Sequence, residues 1–148
     1  MQNNSKLKSQ QKSIIVYVIT ALMLSSSFIY FVAALQDYKQ ISNANPSDSK
    51  DAADIAATKN EMSFFIMVGI VYIPVAIWML KVKHNNKIPY IIAIIGSAAL
   101  IIFYILTRTI NLPSIGLQAD IGTIDITAKI IQGGIISIAS FLIYVINK

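Results

Sequence analysis

The sequence contains no cysteine, one histidine and few charged residues, and each scarcity excludes a class of chemistry. Without cysteine there are no disulfide bonds, no thiolate metal ligands and no cysteine nucleophile. His84 alone cannot form the histidine cluster that many protein metal sites use. We therefore predict no metal site and no cofactor.

Charge is scarce along the whole chain. Charged residues make up 13% of its 148 residues, whereas hydrophobic residues make up 55%. A soluble domain typically carries about a quarter charged residues, which cover the surface that faces water. The composition therefore predicts a single membrane domain, residues 1–148, that is surrounded by a lipid bilayer.

Four long apolar segments follow one another, and Lys129 is the one charged residue inside them. Each is long enough to cross about 30 Å of hydrocarbon as a helix that rises 1.5 Å per residue. We predict an all-α integral membrane protein, a four-helix bundle. Its spans are 14–35, 63–80, 88–107 and 127–147, joined by loops at 36–62, 81–87 and 108–126.

The lysines indicate an orientation rather than a nucleic-acid partner, because they do not form a stripe interleaved with aromatic residues. The N-terminal tail and loop 81–87 each carry three lysines and no acid, whereas loop 36–62 is net acidic. Basic segments stay cytoplasmic. We predict a multi-pass protein of the cell membrane with both termini in the cytoplasm. We interpret the acids of loop 36–62, which include Asp37 and Glu61, as a solvated face.

A signal peptide is the competing interpretation of residues 1–34. A basic start, an apolar stretch and Val32-Ala33-Ala34 together resemble a signal with its cleavage site. Apolar regions of signals are usually about 7–15 residues long, and this one is longer. The length favours a retained membrane span, and cleavage stays open.

Small residues are spaced along the first, third and fourth spans, and small residues let two helices approach closely. We expect them to serve mainly the packing of helices within the chain. Pro74, in the middle of the second span, removes a backbone donor and predicts a kink. The small residues are Ala21, Ser25, Ala93, Gly96, Ser97, Gly133 and Ser137.

A group of polar residues surrounds the second outer loop, and we call it the polar cluster. Asp125 and Lys129 are four residues apart with the acid first, the favourable order for a pair on one helical face. Arg108, the single arginine, can pair with Asp120 or Asp125, and Thr123 can cap the fourth helix. The cluster consists of Arg108, Asp120, Asp125, Lys129 and Gln132.

Two interpretations of the polar cluster remain open. In the first it is a structural clamp that holds the outer loop to the bundle. In the second it is a polar vestibule that contacts an ion, a small solute or a partner subunit, since intramembrane charges usually mark functional sites. Lys129 lies about one turn inside the span and can extend to the interface, which favours the clamp.

Two motifs carry a resemblance to a known family. The pattern T-R-T-x-x-L-P-x-x-G covers residues 107–116, and I-D-x-x-x-K covers 124–129 with Gln132 three residues further on. The chain resembles a family of small four-helix membrane proteins of archaea and actinobacteria that has no assigned activity. The resemblance implies the four-span layout and no cofactor.

Catalytic motifs are absent from the sequence, which has no G-x-S-x-G, no H-E-x-x-H, no phosphate loop and no dinucleotide fingerprint. We predict a non-enzymatic accessory, scaffolding or assembly subunit with other membrane subunits or further copies as partners. By analogy of size and architecture, archaeal respiratory and ammonia-oxidising complexes contain such chains. The alternative is a small transporter or channel component that uses the polar cluster.

Overall fold

The computed structural model describes residues 2–44, 49–110 and 122–146, which form four α-helices and one short 3-10 turn. No strand occurs among these residues, so the all-α prediction is confirmed for this part of the chain. Asp120 and the L-P-x-x-G motif lie outside the described residues. The helices are α1 (Gln2–Asn43), α2 (Ser49–Val82), α3 (Ile88–Thr109) and α4 (Thr123–Ile146), and the turn is Lys83–Asn85.

The first two helices are longer than the predicted spans. Most of the predicted loop 36–62 is helical, because α1 continues to Asn43 and α2 begins at Ser49. The alanine-rich sequence before the second span has a high helix propensity, and the 36–62 region contains no glycine and only Pro46 as a helix breaker. The segment between the first two predicted spans is therefore largely helical, and its described charged residues lie on α1 and α2.

All four helices contain a stretch long and apolar enough to cross a membrane. About 20 residues suffice for a crossing, and the stretches have 34, 29, 22 and 24 residues. Pro89 lies in the first turn of α3, where its missing N–H is tolerated. Pro74 lies inside α2, which continues through it, and the kink stays a prediction.

Neighbouring helices run in opposite directions. Ser27 on α1 donates a hydrogen bond of 2.7 Å to the carbonyl of Gly69 on α2. Further along α1, Tyr30 packs on Phe65, which comes earlier on α2, with ring centroids 5.7 Å apart. Contacts between α3 and α4 follow the same antiparallel pattern. We call the end where α1 finishes and α4 begins the outer end.

Buried residues recur at alternating spacings of four and three residues. On α4 they are Ala128, Gln132, Ile135, Ala139 and Leu142. The mean spacing of 3.5 residues is typical of helices that cross at a small angle with knobs-into-holes packing. On α1 the same spacing gives Val16, Ile19, Met23, Ser26, Tyr30 and Ala33.

Large apolar side chains cover the outside of the four helices. Phe28, Ile95 and Ile130 are 68%, 64% and 70% exposed. Contiguous apolar surface on this scale is unfavourable in water and suits a hydrocarbon environment. Such faces are what a helix needs on the side that lies against lipid.

An open groove runs between α2 and α3, which touch each other less than the other neighbouring helices do. We call it the α2–α3 groove. Its walls are apolar, and on α3 they include the small exposed residues Gly96 and Ala99. The groove is lined by Phe64, Met67, Val68, Val71 and Tyr72 on α2, and by Gly96, Ala99 and Leu100 on α3.

Candidate functional site

An ion pair joins the outer ends of α3 and α4. Arg108 lies in the last turn of α3 and Asp125 in the first turn of α4. Each charge therefore interacts favourably with the dipole of its own helix. Arg108 Nη2 is 2.7 Å from Asp125 Oδ2, and the two side chains are only 15% and 29% exposed. This is one of the two pairs that the sequence left open for Arg108.

The start of α4 differs from the prediction. The helix begins at Thr123, and the Ile126 N–H donates to the carbonyl of Gly122. Thr123 therefore belongs to the first turn, and the predicted cap at this residue is wrong. Gly122 occupies the position before the helix, and Asp125 remains in the first turn.

Lys129 does not pair with Asp125 as predicted, because no carboxylate of the described residues lies within 4.0 Å of its ammonium group. Its Nζ is 3.4 Å from both the Tyr30 hydroxyl and the Leu100 carbonyl oxygen. The same atom lies 5.0 Å from the Tyr104 ring centroid, within cation–π distance. The carboxylate is bound by Arg108, and the lysine instead lies between two tyrosine rings.

Tyr30 connects the inner members of the polar cluster. Gln132 is fully buried, and its Nε2 donates to the Tyr30 hydroxyl at 2.5 Å. The same hydroxyl accepts from Lys129. Tyr30 lies about 100 residues from both partners, so no local motif could indicate the contact. The only indication in the sequence was a tyrosine within an apolar helix, because buried tyrosine hydroxyls usually form a hydrogen bond.

The polar contacts between helices end about halfway along them. The Tyr72 hydroxyl is 3.1 Å from Ser97 Oγ, and the rings of Tyr72 and Tyr30 are 6.3 Å apart. Nearer the inner end the buried side chains are mainly apolar, and the hydroxyls of Thr20 and Tyr90 donate to backbone carbonyls. Among the described residues, the polar contacts between helices therefore lie in the outer half.

Two acids from the predicted solvated face contribute to the outer end. Asp37 lies seven residues after Tyr30, on the same buried face of α1, and is only partly exposed. Its Oδ2 is buried without a hydrogen-bond partner among the described residues, and the charges of Glu61 and Asp125 act on it. The solvated-face interpretation is wrong for Asp37 and Glu61, because the helices that carry them extend past the predicted spans and pack together.

A small cavity, here called the outer cavity, is enclosed by residues from all four helices at this level. Its volume is about 40 Å³, which holds two or three water molecules. Phe64 of α2 and Phe103 of α3 approach each other beside it, with ring centroids 4.8 Å apart. The polar residues that line it are Tyr30, Glu61, Tyr104, Thr107, Asp125 and Lys129.

The predicted helix-packing residues divide into two groups. Ala93 and Ser97 are buried between helices as expected. Ala21, Ser25, Gly96 and Ser137 face outward, and Gly133 is half-buried with nothing within 4 Å of a built Cβ. The expectation of packing within the chain is wrong for the outward residues, since bulkier residues and Ser26 and Ser27 occupy the inward positions of α1.

The chemistry that these residues allow is hydrogen bonding and charge pairing. Among the residues that the structure describes, no group of three His, Asp or Glu side chains is placed to hold a metal ion. The polar side chains present an ion pair, a lysine ammonium and tyrosine hydroxyls. They can hold helices together or receive a polar group of a bound molecule.

Comparisons of the chain with family models, with curated proteins and with solved structures find no match. The resemblance to small four-helix membrane proteins of archaea and actinobacteria therefore stays a prediction. Of the motif residues, the structure describes 107–110, 124–129 and 132, which include the Arg108–Asp125 pair.

Proposed function

We propose that the protein is a multi-pass protein of the cell membrane and acts as a non-catalytic accessory, scaffolding or assembly subunit of a membrane complex. In this proposal the four helices form a bundle with both termini in the cytoplasm. The apolar exposed faces of the helices support the membrane location. The lysines of the N-terminal tail and of residues 81–87 support the orientation.

The observation that carries the proposed role is a strip of small residues on the outside of the α1–α4 contact. A Cβ placed on Gly134 would lie 3.7 Å from Leu22 Cδ1, so α1 and α4 meet at these two residues. Three small residues beside this contact are exposed. We call Ala21, Ser25, Gly134 and Ser137 the α1–α4 strip.

Small residues outside the four helices allow the backbone of a further helix to approach closely. Association in lipid depends on such close packing, because lipid chains are as apolar as leucine and supply no hydrophobic driving force. A shallow apolar groove lies at the outer end of the same side, lined by Phe28, Val32 and Ile124 among others. A partner subunit or a second copy of the chain fits this surface.

Replacing two small residues of the strip with bulky ones tests the role. Affinity purification from native membranes, followed by native gels, should show a defined complex for the wild type. Ser25→Leu combined with Ser137→Leu should reduce the amount of complex about tenfold, since close helix approach is blocked. Gly96→Leu is the matched control, because it adds the same side chain on the opposite side, where a built Cβ meets nothing within 4 Å.

A monodisperse wild-type monomer with no co-migrating chain would contradict the proposed role. An unchanged amount of complex in the double variant would show that the interface does not involve the α1–α4 strip.

A small transporter or channel component is the second candidate, and one observation favours it. Polar contacts continue from the Arg108–Asp125 pair through Tyr30 and Gln132 into the middle of the helices. A path across the membrane would also need polar groups in the inner half. The buried residues described there are mainly apolar, and the hydroxyls of Thr20 and Tyr90 are bound to backbone carbonyls, which favours the accessory role.

A further inference from the structure

The inner end of the molecule, where α2 finishes and α3 begins, carries lysines and, in the described part of the chain, no acid. All 7 acids of the sequence lie within residues 37–61 or 120–125. Because α1 finishes and α2 begins in the first range and α4 begins in the second, both ranges belong to the outer end. A negatively charged group at the inner end is therefore attracted by Lys81, Lys83 and Lys87 and meets no acidic side chain.

The fold brings a further lysine, from the first helix, to the same level. The helix α1 contacts the turn Lys83–Asn85. Continued from the Ser27–Gly69 contact, the antiparallel register of α1 and α2 places this turn level with residues 11–13. Lys12, which is partly exposed, therefore lies beside the lysines of the turn. We call Lys12, Lys81, Lys83 and Lys87 the basic rim.

The backbone of the turn is bound by neighbouring side chains. Tyr90 is fully buried, and its hydroxyl donates to the Lys83 carbonyl. The Ile88 N–H donates to Asn86 Oδ1 at 2.9 Å. Lys83 itself has a φ of 46°, in the left-handed region that residues with a side chain rarely adopt. The rim lysines therefore extend from a short and fixed turn, which lowers the cost of ordering them around a ligand.

The start of α3 adds positive potential to the basic rim but offers few backbone donors. Its first turn contains no acid, so the positive end of the helix dipole is not neutralised there. The N–H groups of Tyr90 and Ile91 donate to the Lys87 carbonyl, and Pro89 has no N–H. An anion at this end is therefore held by lysine ammonium groups, and its charge matters more than the shape of its head group.

The basic rim lies where the apolar surface of the helices ends. Ile14 follows Lys12 on α1 and is exposed, and Ile88 follows Lys87 on α3 and is also exposed. Lysine side chains at such a boundary extend their ammonium groups to the polar interface of the bilayer. The phosphates of the lipid head groups lie in that interface.

We propose that the basic rim binds anionic phospholipids of the cytoplasmic leaflet. Their phosphate oxygens accept hydrogen bonds from the ammonium groups of the rim, and their hydrocarbon chains lie along the exposed apolar faces of α1 and α3. The inference rests on the proposed membrane location and orientation, which put this end at the cytoplasmic surface. That surface carries anionic lipid, which attracts lysines next to a membrane span.

An acidic segment of a partner protein also complements the charge of the basic rim. It fits this surface less well, because the rim directly borders the exposed apolar side chains of Ile14 and Ile88. A phospholipid supplies the negative charge and the hydrocarbon in one molecule, at the level where both are needed.

The single tryptophan of the chain allows lipid binding to be measured beside the basic rim. Trp78 is exposed and lies one helical turn before Lys81 on α2. The full chain is reconstituted in bilayers of dioleoyl phosphatidylcholine that contain brominated phosphatidylglycerol, phosphatidylserine or phosphatidylcholine, and quenching of Trp78 fluorescence gives their relative affinities. A lysine near the membrane surface contributes about fivefold in affinity for anionic lipid, so phosphatidylglycerol should bind about fivefold or more tightly than phosphatidylcholine.

Two further measurements separate charge from head-group shape and lipid from free phosphate. Phosphatidylserine and phosphatidylglycerol carry the same net charge and should bind alike. In about 1 M salt the screening length falls to about 3 Å, so the preference for anionic lipid should largely disappear. Free glycerol phosphate, which has no hydrocarbon chain, should not displace the lipid.

Paired substitutions assign the preference to the basic rim. Lys81→Gln combined with Lys83→Gln should reduce the preference for phosphatidylglycerol about fivefold or more, whereas arginine at both positions should retain it. Lys39→Gln combined with Lys59→Gln is the matched control, because it removes the same charge from exposed positions towards the outer end. Circular dichroism checks that each variant remains helical.

Equal quenching by brominated phosphatidylglycerol and phosphatidylcholine would overturn the proposal, as would an undiminished preference in the helical Lys81→Gln, Lys83→Gln variant. Displacement of the lipid by soluble polyglutamate would assign the basic rim to an acidic protein segment and would also overturn it. Failure of the proposed orientation is distinguishable, because quenching does not depend on the direction in which the chain is inserted. The assembly role is tested separately by Ser25→Leu with Ser137→Leu.

Discussion

At the scale of single residues, the outer end is held by contacts between residues far apart in the chain. Tyr30 receives hydrogen bonds from Lys129 and Gln132, and Arg108 is bound to Asp125. Each contact joins two helices, so each side chain fixes the position of one helix against another. Both the clamp and the vestibule interpretations remain compatible with these contacts.

Asp125→Asn tests the ion pair. The substitution removes the negative charge that faces the Arg108 guanidinium at 2.7 Å. Because the pair is partly buried, we expect a loss of about 1–3 kcal/mol in the free energy of unfolding, between the values for exposed and buried pairs. Unfolding in mixed detergent micelles measures the loss.

Asp54→Asn is the matched control for the ion pair, because Asp54 is exposed, and it should leave stability unchanged. Equal stability of Asp125→Asn and wild type would show that the pair contributes nothing. The same variant tests the second candidate function in liposomes, where an ion or solute flux that falls in Asp125→Asn would favour a transporter.

At the scale of helices, α1 and α2 approach each other closely at Gly69. A Cβ at this position would lie 3.1 Å from the Phe31 ring and 3.3 Å from the Ser27 carbonyl oxygen. The Ser27 hydroxyl donates to the Gly69 carbonyl at the same point. The missing side chain therefore permits both the close packing and the hydrogen bond between the helices.

Gly69→Leu should separate α1 from α2. Overpacking at a tight contact typically costs about 1–3 kcal/mol, and we expect that loss in the free energy of unfolding. Gly133→Leu is the matched control, since its Cβ meets nothing within 4 Å. Unfolding of both variants in mixed micelles gives the comparison. If the two leucines had equal effects, the close approach at Gly69 would not limit packing.

At the scale of the whole molecule, the two ends differ in charge. Acids and bases both lie towards the outer end, such as Asp37 and Arg108, whereas the turn between α2 and α3 carries Lys83, follows Lys81 and contains no acid. The apolar surface lies between these ends. This distribution is the basis of the proposed orientation in the membrane.

The absence of native cysteine makes the orientation directly testable. Asn43→Cys places a thiol on an exposed position at the outer end of α1, and Asn85→Cys places one in the exposed turn after α2. A membrane-impermeant maleimide should label residue 43 in intact cells and residue 85 only after permeabilisation. The opposite labelling would reverse the orientation, and a chain that stays soluble without detergent would exclude a membrane protein.

The sequence was sufficient for the four helices, because long uncharged segments and helix propensity are properties of neighbouring residues. It also indicated Arg108, Asp125, Lys129 and Gln132 as one group, because these residues lie near one another in the sequence, at the ends of two successive segments. The predicted Asp125–Lys129 pair was wrong, because a four-residue spacing permits a contact but cannot say which other group reaches the carboxylate first.

Only the tertiary structure decided which faces of the helices meet. On α1, Thr20 and Ser27 are buried, whereas Tyr17 and Leu24, which continue the same helical spacing, are exposed. A uniformly apolar helix gives little difference between its faces, so its inward side depends on the partner helices. The position of Tyr30 between Lys129 and Gln132, and the groove that α2 and α3 leave open, follow from that packing and from no local pattern.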